Sequence, residues 1–168
     1  VSGSLDHALV AFEIAAGMQA MGMQITMWFA LLGINSIRKS AGFPLVRRGV
    51  PKGELVGGAG RNTGTDTAWQ QVLQAANRYH SKRLPLSRLN FLGAGPWLLR
   101  KIMRKKGMAE LPGLIGSAAA LGVRFRVCQT CVDTMACEVS EDLVVDVEVC
   151  GVSRYTLDVR DSHYNAVI

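Results

Sequence analysis

Three of the four cysteines in this 168-residue chain, Cys128, Cys131 and Cys137, fall within ten residues of one another. Cys128 follows the apolar run Val123-Arg124-Phe125-Arg126-Val127, which reads as a buried strand, and opens the segment Cys128-Gln129-Thr130-Cys131. A cysteine where a strand gives way to a loop or helix start is placed to be a nucleophile, because backbone N–H groups at a helix N-terminus favour thiolate over thiol. Lowering a thiol pKa from about 8.5 to about 7 raises the thiolate fraction at neutral pH from a few per cent to about half. Cys131 lies one helical turn further on, within reach of a modified Cys128. The competing reading of Cys128 is a small buried hydrophobe at a strand end. A metal site is the other thiol chemistry to weigh, with Cys128, Cys131, Cys137 and Cys150 as ligands. Structural zinc ordinarily takes two separated ligand pairs, whereas here no second pair exists and His7, His80 and His163 are scattered, so no metal or other cofactor is expected.

The elements that must position these thiols follow from the pattern around them. Ser4 is an N-cap for a helix from Leu5 to about Met21, closed by Gly22. Met23 to Leu31 does not alternate apolar with polar and reads as a strand buried on both faces, followed by a short helix from Gly33 to about Ser40. Ala41 to Gly64 is rich in glycine and proline and reads as a long loop without a dinucleotide fingerprint. An amphipathic helix from Asp66 to Tyr79 then carries the stripe Trp69, Val72, Leu73 and Ala76. Its apolar stripe and the flexible glycines before it predict packing against a neighbouring subunit or beside the Cys128 mouth. Leu84 to Leu92 is irregular. Pro96 and Pro112 each suit the first position of a helix, one basic and running to Lys106, the other running from Leu111 to Leu121 before Gly122. After the cysteine segment, Ser140-Glu141-Asp142 opens a helix, Val144 to Val149 passes into a last strand, and Ser153 to Asp161 closes with a helix. Strands separated by helices imply a mainly parallel sheet covered on both faces, a three-layer α/β/α fold. Sites in such sheets lie beyond the carboxyl ends of the strands, where Ser2-Gly3-Ser4 and Cys128 both fall. Ser2-Gly3-Ser4 looks like the turn after a strand, so the first strand is expected to be truncated.

Composition narrows the classes. Apolar residues make up 49% and charged residues 19% of the chain, as in a globular domain rather than a disordered one. The apolar stretch from Ala8 to Ile34 is broken by Glu13, Gln19, Gln24 and several glycines, so no membrane span is expected. The net charge of +6 comes from basic clusters in the middle of the chain, opposed by an acidic C-terminal third. No nucleic-acid motif accompanies the clusters, so they read as solvated faces or as a surface for an acidic protein. Four clustered cysteines are too few for a secreted disulfide scaffold and point to a reducing compartment, taken as the cytoplasm.

Several stretches together resemble a known family. Gly3-Ser4-Leu5-Asp6 with Ala20-Met21-Gly22-Met23, then Phe29-Ala30-Leu31-Leu32-Gly33-Ile34-Asn35, resemble the opening of the DsrE/DsrF/DsrH-like sulfur-transfer family, in its longer subfamily often labelled peroxiredoxin-like. Leu84-Pro85-Leu86-Ser87-Arg88-Leu89-Asn90-Phe91, Gly95-Pro96 and Leu111-Pro112-Gly113-Leu114-Ile115 resemble its middle. Gly122-Val123-Arg124-Phe125 through Cys128, Asp133 and Met135, with Gly151-Val152, resemble its end. The resemblance covers nearly the whole chain except Arg47 to His80, so the domain is expected to be single, residues 1–168, with an insertion at about 41–80. It implies an α/β/α fold assembled into homo-oligomers and a role in handling sulfane sulfur through Cys128. Two residues depart from the pattern: Cys131 stands where Ser is expected, and Cys137 where an apolar residue is expected.

Site and function are expected to follow. Cys128 takes a sulfur atom as a persulfide and passes it on, and Cys131 either attacks that persulfide or merely replaces Ser. Gly3, Ser4 and Asp133 are candidate binding residues. Ser4 is first a cap and second a donor to anionic sulfur. Asp133 is either a helix cap or a like charge that raises the Cys128 pKa. Cys137 reads as core or second-layer packing, and Cys150 as either core or site. The expected partners are a sulfur donor or carrier, rhodanese-like or a small sulfur-carrier protein, and small sulfane-sulfur species. The alternative is a non-catalytic assembly or regulatory subunit of the same fold.

Overall fold

The computed structural model describes residues 1–40, 72, 73, 76, 77, 79–88, 93–135, 137 and 139–168. The expected Ala41–Gly64 loop and most of the Asp66–Tyr79 helix lie outside the described residues. Described in chain order are α1 (Leu5–Ala20), β1 (Thr26–Phe29), a 3-10 helix (Leu31–Ile37), α2 (Ala94–Lys105), α3 (Leu111–Ala120), β2 (Arg124–Cys128), α4 (Gln129–Met135), α5 (Val139–Asp142), β3 (Glu148–Cys150) and α6 (Val152–Asp161). The strands form a parallel sheet in the order β1-β2-β3, with Phe29 opposite Val127 and Cys128 opposite Cys150.

One face of the sheet is an apolar core. Helices α1 and α3 pack together on it, and Phe12 of α1 meets Phe29 and Phe125 at ring-centroid distances of 6.0 and 6.1 Å. Phe12, Phe29 and Val127 are fully buried, each stabilising the fold by roughly 1.5–3 kcal/mol relative to an exposed side chain. The other face is built differently. Helix α6 buries none of its side chains. It is held by Trp28 stacked edge-on against Tyr155 at 5.4 Å, by the Trp28 indole N–H donating to Asp158 at 2.9 Å, and by the Arg126–Asp158 ion pair. Burial along β1 therefore alternates, with Met27 and Phe29 buried and Thr26 and Trp28 half-buried, instead of being complete on both faces as its uninterrupted apolar run predicts. The second layer covers this face with polar and aromatic contacts rather than aliphatic ones.

The turns are placed by glycine where the backbone is left-handed. Gly22 (φ 86°) follows α1 and Gly122 (φ 87°) follows α3, as expected for residues just past a helix end. Two proline positions differ from expectation. Gly93, at φ 95°, caps α2, so Pro96 is the third residue of that helix rather than the first, and Pro112 is the second residue of α3. Both still fall in a first turn, where a missing N–H leaves no intrahelical bond unmade. The basic surface of α2 is solvated, with Lys101 over the Trp97 ring and Arg104 paired with Glu110.

Segments at the carboxyl end of the sheet are tied to one another. The Val1 backbone nitrogen donates to the Trp28 carbonyl at 2.9 Å, and the Ser2 N–H donates to the Ile168 carbonyl at 2.7 Å. Asn35, 1% exposed, exchanges reciprocal amide bonds of 3.0 Å with Asn77, which fastens the far end of the 41–80 stretch to the 3-10 helix. Within that stretch Val72 and Leu73 are 58% and 40% exposed on the single chain, so this part of the expected apolar stripe is not buried within the protomer. Among the described residues, no helix is long and apolar enough to cross a membrane.

Candidate functional site

Cys128 is the last residue of the central strand, half-buried, and the chain turns directly from it into α4. The strand extends one residue further than its apolar run, so Cys128 itself sits in the ladder, opposite Cys150. Cys131 lies one turn along α4 and is buried. The Leu31 backbone and the Cys128 side chain are both close enough to act on its thiol. Burial pushes the Cys131 thiol pKa up and the neighbouring Cys128 adds to the rise, with the Leu31 N–H opposing them. These influences together favour the thiol form of Cys131 beside Cys128.

Leu31 reaches that position through an unusual backbone. Its φ of 45° is left-handed, a conformation a leucine adopts at a cost of about 1–2 kcal/mol. The turn swings the chain out of β1 and aims the Leu31 N–H at Cys131, while the Leu31 and Leu32 side chains stand 55% and 57% exposed.

Gly3 lies against this turn. A Cβ there would meet the Leu32 carbonyl oxygen at 2.5 Å, so only glycine allows the two backbones so close. Ser4 occupies the N-cap position of α1, but its hydroxyl makes no capping bond to a backbone N–H of the helix. That hydroxyl meets Ser2 at 3.3 Å and supports the Asp6 carboxylate. Gly3 thus fits against the Leu32 backbone, while the Ser4 side chain lies against Ser2 and Asp6.

Asp133 is the fifth residue of α4 and so is not its cap. Its carboxylate accepts the Gln129 side-chain amide at 2.9 Å. Cys137 packs half-buried against the core, with its N–H donating to the Val132 carbonyl at 3.1 Å.

Cys150 is the thiol whose role the sequence left undecided. It ends β3, is buried, and lies against the Glu148 carboxylate. Burial and that carboxylate push its pKa up. Glu148 pairs in turn with Arg126 at 2.6 Å, and Arg126 with Asp158. Residue spacing offered no route to this pairing, since Cys128 and Cys150 are separated by α4 and α5 and meet only through strand register. Among the described residues, no group of three or more His, Cys, Asp or Glu side chains is placed to hold a metal ion.

A three-stranded parallel sheet with helices packed on it, and with Cys128 and Cys150 ending adjacent strands, defines a mixed α/β protein. Residues 60–167 match the DsrE/DsrF/DrsH-like family, and the chain belongs to it. It is also 29% identical over 167 residues to a Bacillus subtilis (strain 168) protein named uncharacterized protein YrkE, covering 99% of this chain and 92% of that one. Both matches run into the 41–80 stretch.

Proposed function

We propose that the protein is a sulfur carrier that holds sulfane sulfur as a persulfide on Cys128 and relays it to a partner. The observation that supports this best is the placement of Cys128 at the carboxyl end of the central strand with the Cys131 thiol beside its sulfur. In loading, the Cys128 thiolate attacks the outer sulfur of a donor such as thiosulfate. A sulfur–sulfur bond forms at Cys128, and sulfite leaves with the electron pair of the broken bond. In delivery, an acceptor thiolate takes the outer sulfur and the Cys128 thiolate is regenerated. Cys131 is suited to hydrogen-bond the anionic sulfur on Cys128, which keeps that sulfur ionised and oriented.

The donor and acceptor are a rhodanese-like protein, a small sulfur-carrier protein or a small sulfane-sulfur species. Four thiols without a disulfide fit a reducing cytoplasm. The exposed Leu31 and Leu32 beside the site, with Val72 and Leu73, fit a homo-oligomer that covers them. Incubating the protein with thiosulfate and a persulfidated rhodanese, then measuring intact mass, tests the reading. Additions of one sulfur mass are expected on the parent protein. Equal loading of Cys128→Ser overturns the assignment.

A further inference from the structure

We propose that Cys150 discharges the sulfur carried on Cys128, releasing it as hydrosulfide and closing a Cys128–Cys150 disulfide. This rests on the carrier reading and adds an activity to it, sulfide release without an external acceptor.

The register carries the argument. Cys128 and Cys150 are opposite each other on adjacent parallel strands. Such strands run about 4.7–4.9 Å apart, inside the range of about 4.4–6.8 Å that Cα atoms span across disulfides. Residues in register share a face of the sheet, as do residues two apart along one strand. Arg126 and Glu148, two residues before each cysteine, pair with one another on the face covered by α6, where Arg126 meets Asp158. The two cysteines therefore project side by side toward that face. Each is also the last residue of its strand, so drawing the sulfurs together moves two strand ends and not the sheet interior.

The hydrogen-bond partners divide the work between the other two thiols. Cys131, one turn along α4, lies beside Cys128 and is kept in its thiol form by burial. Cys150 lies against a carboxylate that accepts its proton, and Arg126 keeps that carboxylate ionised. In the step itself, Glu148 takes the Cys150 proton and the Cys150 thiolate attacks the inner sulfur of the Cys128 persulfide. The inner–outer sulfur bond breaks, and its electron pair leaves on the outer sulfur, which takes the proton from Glu148. A persulfide anion and a thiol become a disulfide and hydrosulfide; the Cys150 sulfur is oxidised and the departing sulfur reduced.

The test loads the full chain from a persulfidated rhodanese, removes the donor anaerobically at neutral pH, and follows hydrosulfide while disulfides are mapped by peptide mass spectrometry without reduction. One hydrosulfide per loaded chain is expected, appearing together with a Cys128–Cys150 cross-linked peptide and reversed by dithiothreitol. Release per loaded chain is expected to fall at least tenfold in Cys150→Ser and in Glu148→Gln. A Cys128–Cys131 cross-link, or undiminished release from Cys150→Ser, overturns the proposal and leaves the carrier reading standing. A parent protein that takes no sulfur on Cys128 overturns both.

Discussion

Asp158 of the last helix binds Arg126 of the central strand and, through the same carboxylate, the Trp28 indole of β1. One acidic side chain thus clamps α6 across two strands. Arg126 is 4% exposed, so removing its partner strands a buried guanidinium that, among the described residues, keeps Glu148 alone as an ion-pair partner. Asp158→Ala is expected to lower stability by about 2–4 kcal/mol in urea unfolding, because a charge left unpaired in the interior is expensive.

The same clamp sets an acid limit. Burial alone would raise the Asp158 pKa, but Arg126 and Trp28 together hold it below the usual carboxylate range. For a carboxyl depressed in the folded state, the stabilisation is present above the unfolded pKa of about 4 and is lost as pH falls through the folded value. The Asp158 contribution to unfolding free energy, read as the difference between the parent and Asp158→Asn, should therefore be level from about pH 7 to pH 5 and fall below about pH 4.

Leu31→Gly should stabilise the protein. The left-handed backbone suits glycine, the leucine side chain is largely exposed, and the N–H to Cys131 is kept. A gain of roughly 0.5–1 kcal/mol is expected in urea unfolding, net of the entropy glycine adds to the unfolded chain.

Gly3→Ala should do the opposite. The added Cβ would meet backbone at Leu32, which cannot swing aside as a side-chain tip can. A loss of about 1–3 kcal/mol is expected. Because Leu32 follows Leu31, the rate of Cys128 alkylation should change as well.

Alkylation should also rank the thiols. Cys128 is the half-buried thiol of the three at the sheet edge, whereas Cys131 and Cys150 are buried with raised pKa values. A thiol with a raised pKa stays protonated and slow until the pH climbs past it. Iodoacetamide near neutral pH should therefore modify Cys128 first, with Cys131 and Cys150 following only above about pH 9, as read by peptide mass spectrometry. Faster labelling of either buried thiol would contradict the arrangement described.

Local signals were most legible where one residue decides the matter. Gly22 and Gly122 mark helix ends by backbone freedom, and the apolar run before Cys128 marks a strand by composition. Of the two readings of Asp133, the cap fails because capping depends on where a helix begins, and α4 begins four residues earlier, at Gln129. The position of Cys150 opposite Cys128 was hidden for a different reason. Its neighbour in space is set by strand register, which arises from packing of the whole sheet and leaves no trace in local spacing. The polar face beneath α6 was likewise invisible, since Arg126 reads as a break in an apolar strand until Asp158 is brought over it.

The reciprocal amide bonds between Asn35 and Asn77 make the chain from one to the other a closed ring. Closing such a ring costs chain entropy that grows only with the logarithm of its length, about 0.6 kcal/mol for each doubling. By this entropy alone, residues added between the two asparagines, for a tag or a reporter, should weaken the clasp little provided both asparagines stay. Trimming obeys a harder limit. A deletion that takes Asn77 leaves the amide of Asn35 buried without its partner, at a cost of about 1–3 kcal/mol, so the ring can be resized but its clasp cannot be cut.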